Sequence, residues 1–236
     1  MTGRYFLLFN HKLPLTRYSA TRVTQVLRST RRDTRVPPPV AMTLDAGASA
    51  PELSTQPIHV TLTGAVPAQT IAKFVSRGAR VNLVTDGLEL DAGRAYALIQ
   101  AGLTHLEVHA SEGHRDRVLR NVEKLVAMRD ANRKPGPEVT IRADQGAELP
   151  AADAPCYVPW YSTFIAADGQ VYPCARHAAG GVSVGVSAGF EAAWNGSKMA
   201  TFRASLRADR AANPVCANCP HDDGALGRVL RWVGRR

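Results

Sequence analysis

Cysteine is missing from the first 155 of the 236 residues, and the whole chain holds four. So few exclude a disulfide-held scaffold and fit a reducing compartment in which thiols stay free for a metal. Long apolar runs are missing as well. Stretches such as Phe6–Phe9 fall far short of the roughly 20 residues a membrane-spanning helix needs. With no secretory signal at the start, the expected location is cytoplasmic. The sequence also lacks a phosphate-binding loop, a G-x-S-x-G elbow and an HExxH zinc helix, so it assigns no catalytic residue.

Acids are scarce near the start: Arg4, Lys12, Arg17, Arg22, Arg28, Arg31 and Arg32 all precede the first one, Asp33. Arg228, Arg231, Arg235 and Arg236 close the chain, and the net charge is +9. Such charge attracts nucleic acid, acidic peptides or membrane surfaces, and an Arg-rich start also mimics a transit peptide. A solvated helix face with a basic tail is the plainer reading and is favoured, leaving nucleic acid an outside option. What remains is ordinary: 45% hydrophobic and 21% charged residues describe a globular chain, long enough for one large domain or a domain plus a module.

Thr16 to Arg32 reads as a helix with Val23, Val26 and Leu27 on one stripe, ended by Pro37-Pro38-Pro39. Strands are predicted at Val40–Leu44, His59–Leu62, Arg80–Thr85, His105–His109 and Glu138–Arg142. Helices are predicted at Pro67–Ser76, Asp91–Ala101 and His114–Arg133, the last with Val118, Val122, Leu125 and Met128 at helical spacing. Gly78 and Gly102 fall where helices end. The alternation implies parallel βαβ units, about four repeats, roughly half of an eight-fold barrel. A second register starts the sheet at Tyr5–Phe9, with the first helix as its crossover, and the sequence does not choose between them.

Beyond a polar linker starting at Gln145 the texture changes to short strands and turns. Asp168-Gly169 between Ser162–Ile165 and Gln170–Tyr172 signals a hairpin. Short helices follow around Glu191–Trp194 and from Ser197 to Arg207, with Met199, Phe202 and Leu206 on one face.

The cysteines form two pairs. Cys156 and Cys174 flank the predicted hairpin, and Cys216 and Cys219 make a CxxC in "NPVCANCPHDD". A CxxC places two thiolates on one side of a tight turn, so each pair supplies half of a four-sulfur site for zinc or an iron–sulfur cluster. A redox dithiol and buried structural thiols are the competing readings.

"CYVPWYSTFIAADGQVYPC" resembles the opening of a SPASM domain, the auxiliary iron–sulfur module of many radical S-adenosylmethionine enzymes: cysteine, a spacer, a glycine, four residues, a second cysteine. Trp194-Asn195, Phe202-Arg203 and the Cys216/Cys219 pair fall on further positions of that pattern. The family's later cysteines are not present after "PHDDGALG". The resemblance therefore implies the one-cluster form, with Cys156, Cys174, Cys216 and Cys219 as ligands of one 4Fe–4S cluster. His177 and His221 are near enough in sequence to substitute, though four thiolates already complete the site. Zinc on the same four cysteines is the alternative cofactor.

Residues 40–144 resemble the radical S-adenosylmethionine partial barrel, with "IHVTLTG", "RVNLVTDG" and "HLEVHASEGHRDRVLRNVEKL" as its second, third and fourth strand segments. Two departures stand out. The cysteine triplet expected after the first strand is missing from "TLDAGASAPELS", and Ala65-Val66-Pro67 replaces the Gly-Gly-Glu segment that holds the cofactor's methionine end. Only a degenerate S-adenosylmethionine site is then expected, at Gly64, Thr85, Asp86 and Ser111. Ordinary loop polarity explains those residues equally well, and Glu112 with them. His105 and His109 share a strand face and could meet at a metal, though packing is the commoner fate of such residues.

The expected architecture is α/β. It comprises a basic helix and Pro-rich linker (1–39), a partial (βα) barrel of four to five parallel strands (40–144), a small α+β SPASM module (151–225) and a basic tail (226–236). The resemblance implies a cluster protein without autonomous radical chemistry. It would bind a peptide or protein substrate, or relay electrons, beside a partner enzyme. A zinc-binding structural or interaction module on the same four cysteines is the runner-up, and a still-active radical S-adenosylmethionine peptide-modifying enzyme is the third reading.

Overall fold

The computed structural model describes residues 5–8, 11–14, 17–30, 35–143, 155–219, 221 and 223. Arg4, Arg31, Arg32, the linker from 145 to 154 and the tail from 226 lie outside the described residues. The chain divides into two compact units, one of residues 1–43, 48–58 and 147–236, the other of residues 44–47 and 59–146. No helix among the described residues is long and apolar enough to cross a membrane.

The first unit opens with strands β1 (Tyr5–Leu8) and β2 (His11–Pro14), which pair antiparallel, Tyr5 with Pro14 and Leu8 with His11. The register that starts the parallel sheet at Tyr5 is therefore not adopted. The strand turns straight back into a hairpin, which leaves no crossover for a parallel neighbour. Helix α1 (Arg17–Ser29) follows, with Val23 and Val26 buried and Leu27 half-buried. Arg22 on the same face is also buried, and its Nη2 donates to the carbonyls of Pro38 (2.6 Å) and Pro39 (3.1 Å). Prolines bring carbonyls without N–H groups, and in this half-buried run side chains supply the donors. Strand β3 (Ala41–Leu44) comes next.

The second unit alternates strand and helix. Its elements are β4 (His59–Thr63), α2 (Ala68–Val75), β5 (Arg80–Thr85), α3 (Ala92–Gln100), β6 (His105–Ala110), α4 (Arg115–Ala131) and β7 (Glu138–Ala143). The four strands run parallel in chain order, Val60 beside Val81, Leu83 beside Leu106 and Val108 beside Ile141. Period-two alternation splits the sheet into faces. Val60, Leu62, Val81, Leu83, Leu106 and Val108 are buried, as are Ile71, Leu98, Val118 and Leu125 of the helices. The opposite face carries half-buried Thr61, Asn82, His105 and Glu107. Gly78 and Gly102 do end α2 and α3, at φ +85° and +78°, a conformation that a Cβ would strain.

The rest of the first unit comprises α5 (Val158–Tyr161), β8 (Ser162–Ile165), β9 (Gln170–Tyr172), α6 (Ala175–Ala178), β10 (Gly185–Val186), α7 (Phe190–Asn195), α8 (Ser197–Ala208) and α9 (Pro214–Ala217). Strand order within this unit is β10-β9-β8-β3. The β8–β9 hairpin turns on Gly169 (φ +80°), while Asp168 Oδ1 accepts the Gln170 N–H at 2.9 Å. Trp194 Nε1 donates to the Pro37 carbonyl at 2.9 Å, completing the donors to the proline run. Asn195 accepts from the Val36 N–H (2.9 Å) and donates to the Val36 carbonyl (3.2 Å). The Trp-Asn pair thereby fastens the chain ahead of β3 to α7.

Candidate metal centre

Each cysteine is set by a short local device. Cys174 lies just past β9 and caps α6, its Sγ accepting the His177 N–H at 3.4 Å. Cys156 lies just ahead of α5, two residues before Val158. Cys216 sits inside one-turn α9, where Asn213 Oδ1 accepts the N–H groups of Val215 (3.1 Å) and Cys216 (3.3 Å). Pro214 presets the first turn of α9, and the Cys219 N–H then donates to the Cys216 carbonyl at 3.2 Å.

These devices bring all four sequence-predicted cysteines to the wall of one cavity of about 300 Å³. All four are free thiols; Cys216 is buried and the other three are half-buried. Burial pushes the Cys156 thiol up to about 12, with the nearby Asp223 and Cys174 charges adding to it. Burial likewise raises Cys216 to about 11, helped by Cys174 and Cys219, and raises Cys174 against the pull of the His177 N–H. Those three thiols are protonated at neutral pH, so a metal or cluster must displace protons to bind.

Three residues of the site escaped the sequence reading. Arg210 is buried, and its guanidinium donates to the carbonyls of Cys216 (3.3 Å, from Nε) and Cys219 (2.8 Å, from Nη2). It holds both ends of the CxxC turn and brings a positive charge that opposes the rise at Cys156 and Cys216. Asp223 is buried too: its Oδ2 accepts the Tyr157 N–H at 2.6 Å and its Oδ1 the Tyr161 hydroxyl at 3.3 Å. The Asp223 N–H donates to the Pro155 carbonyl at 3.0 Å, tying the segment after the CxxC to the chain around Cys156. Burial and the Asp223 charge hold Tyr161 well above the usual phenol range. No spacing rule marks these residues, since their partners stand 6 to 68 positions away in the chain.

Of the two histidines offered as substitute ligands, His221 is at the site, with Nε2 at 3.0 Å from Asp223 Oδ1. His177 packs edge-on against Phe202, ring centroids 4.6 Å apart, and burial lowers its pKa. Replacing Arg210 with Met strands two carbonyls beside the CxxC. The expected cost is about 2–4 kcal/mol of module stability, read from a denaturant midpoint, with faster loss of bound metal to a chelator.

Gly64, Thr85, Asp86 and Ser111 lie together at the carboxyl ends of β4, β5 and β6, where parallel sheets place their ligands. Gly64 donates to the Val84 carbonyl at 3.0 Å. Thr85 Oγ1 accepts the Gly87 N–H (3.2 Å) and Asp86 Oδ1 the Leu88 N–H (3.0 Å), so both side chains serve their own turn. Ser111 is exposed and makes no side-chain cap bond. The carbonyl of Val66, in the segment after Gly64, takes a hydrogen bond from Arg94. His105 and His109 face different carboxylates: His109 Nε2 lies 2.9 Å from Glu107, which also pairs with Arg142, and His105 Nδ1 lies 3.9 Å from Glu138.

Residues 156–220 match the SPASM family, an iron–sulfur cluster-binding domain. No curated protein matches the chain significantly. Among solved structures, BtrN in complex with AdoMet and 2-DOIA is similar at TM-score 0.55 and 14% identity, over 78% of this chain and 93% of BtrN. BtrN in an open conformation gives 0.53 and 14%, over 78% and 96%. SuiB of Streptococcus suis bound to precursor peptide SuiA gives 0.41 and 7%, over 90% and 78%. The likeness to BtrN is one of fold, and it bears out the α/β architecture expected from sequence.

Proposed function

We propose that this chain, a radical S-adenosylmethionine fold carrying a SPASM domain, holds one 4Fe–4S cluster on Cys156, Cys174, Cys216 and Cys219. The observation that carries the reading is the convergence of four free thiols on one cavity. The match of residues 156–220 to an iron–sulfur cluster-binding domain favours a cluster over one zinc ion. A bound cluster supplies one-electron transfer. The chain's part is to present four thiolates, to clamp the CxxC turn through Arg210 and to fix the Cys156 side through Asp223.

Independent radical chemistry does not belong to this reading. That chemistry needs an iron open to the amino acid end of S-adenosylmethionine, and four thiolates leave none. Residues 1–155 contain no cysteine to anchor a second cluster, and the polar groups at Thr85 and Asp86 are engaged in their own turns. The role that fits is partnership: binding a peptide or protein substrate, or relaying electrons, for a competent enzyme.

Anaerobic reconstitution should give a brown protein with about four irons and four sulfides per chain. A colourless chain with one zinc on all four thiols overturns the cluster. The reduced chain alone should leave S-adenosylmethionine intact; stoichiometric cleavage would reinstate it as an enzyme.

A further inference from the structure

We propose that Cys156, His221 and Asp223 form a separate mononuclear site for a divalent transition metal, with zinc the reference ion, in the chain that lacks its cluster. The triplet stands on its own geometry, whether or not the four thiols hold a cluster. Only the competition between the two, which share Cys156, rests on that earlier reading.

One ligand atom from each of the three residues lies within 4.8 Å of the other two. His221 Nε2 and Asp223 Oδ1 are 3.0 Å apart. With metal–sulfur bonds of about 2.3 Å and metal–nitrogen or –oxygen bonds of about 2.0–2.1 Å, ligand atoms around zinc stand about 3.3–3.6 Å apart. The observed triplet is within about an ångström of that, so no backbone has to move far. The carboxylate is oriented as a ligand's should be: Oδ2 is held by the Tyr157 N–H, which leaves Oδ1 facing His221. Tyr161 donates to Asp223 Oδ1 at 3.3 Å and lies 3.4 Å from His221 Nε2, so its hydroxyl lines the site.

Charge argues the same way. The Asp223 side chain is 3% exposed, and its buried carboxylate stands beside the half-buried Cys156 thiol. A dication on the triplet offsets the carboxylate and the thiolate together. Binding exchanges the Cys156 thiol proton, released to solvent, for the metal. Three protein ligands with a fourth position open to water is the pattern of zinc sites that are not purely structural.

The test uses the full chain, purified cluster-free under reducing conditions. Zinc-loaded protein is examined by X-ray absorption at the zinc edge, a measurement that needs no variant. One sulfur at about 2.3 Å with two or three nitrogen or oxygen neighbours at about 2.0–2.1 Å supports the site; four sulfurs, or no bound zinc, overturns it. Cobalt titration then separates the ligands. His221→Ala, a half-exposed position that should fold, is expected to weaken cobalt binding about a hundredfold, and Cys219→Ser to leave it within about threefold. Equal loss in both variants overturns the triplet. The two readings fail separately, because Cys216→Ala/Cys219→Ala should lose cluster iron yet keep cobalt. A wild type that binds cobalt but takes up no cluster would remove the cluster reading and leave the triplet standing.

Discussion

The double variant Cys216→Ala/Cys219→Ala is expected to bring iron after anaerobic reconstitution from about four per chain to below about one. The reason is geometric. Cys156 and Cys174 flank the hairpin, whereas both other thiols stand on one turn clamped by Arg210. Removing that turn's sulfurs takes away one whole side of the cavity wall and leaves two thiolates. Loss of a single thiol should be milder, since three thiolates can still hold a cluster with one labile iron. The graded series, four thiols then three then two, thus reads the ligand count directly. Leu98→Ala in the second unit serves as the stability control. It empties a fully buried position at a cost of about 2–5 kcal/mol and should leave the iron count unchanged. Full iron in the double variant would put the cluster on other residues.

That variant could be designed from the sequence, because the cysteine spacing and the Asp168-Gly169 turn are local signals. Periodicity likewise marked α4, where Val118, Val122 and Leu125 are buried as their spacing predicts. What the sequence does not carry is whatever depends on distant partners. Helices α5, α6 and α9 are four residues each, too short to show a period. The direction of β1 depends on its neighbour, and strand pattern says nothing about which neighbour that is. Arg210 and Asp223 look like ordinary surface charges in the sequence; only folding shows that each is buried against backbone groups near the cysteines. The Thr85-Asp86-Gly87 stretch is the reverse case. It was legible as a strand end, but the engagement of its side chains in their own turn was not.

Trp194→Ala should have the largest effect on folding among single substitutions in the first unit, about 4–6 kcal/mol. Trp194 is fully buried and stacked on Phe190 with centroids 6.1 Å apart, and truncating such a residue costs about 3–5 kcal/mol. The remainder comes from two partners left behind. The Pro37 carbonyl loses its indole donor, and Arg203 loses the ring 4.4 Å beneath its guanidinium. Arg203 is itself buried, donating to the carbonyls of Pro159 (2.8 Å) and Trp194 (2.8 Å), and burial pulls its pKa down to about 9. It therefore stays charged at neutral pH and needs both carbonyls and the ring to offset its lost hydration. Trp194→Phe separates the contributions: it keeps most of the apolar area and gives up the hydrogen bond, for about 1–2 kcal/mol. Arg203→Met should cost about 2–4 kcal/mol by freeing both carbonyls. Combined with Trp194→Ala it should show a coupling of about 0.5–1 kcal/mol, because each residue stabilises the other. Urea midpoints of the five proteins give all four numbers. Strict additivity would mean that the guanidinium–ring contact contributes nothing, and a Trp194→Ala loss below about 2 kcal/mol would mean that α7 does not fasten the proline run.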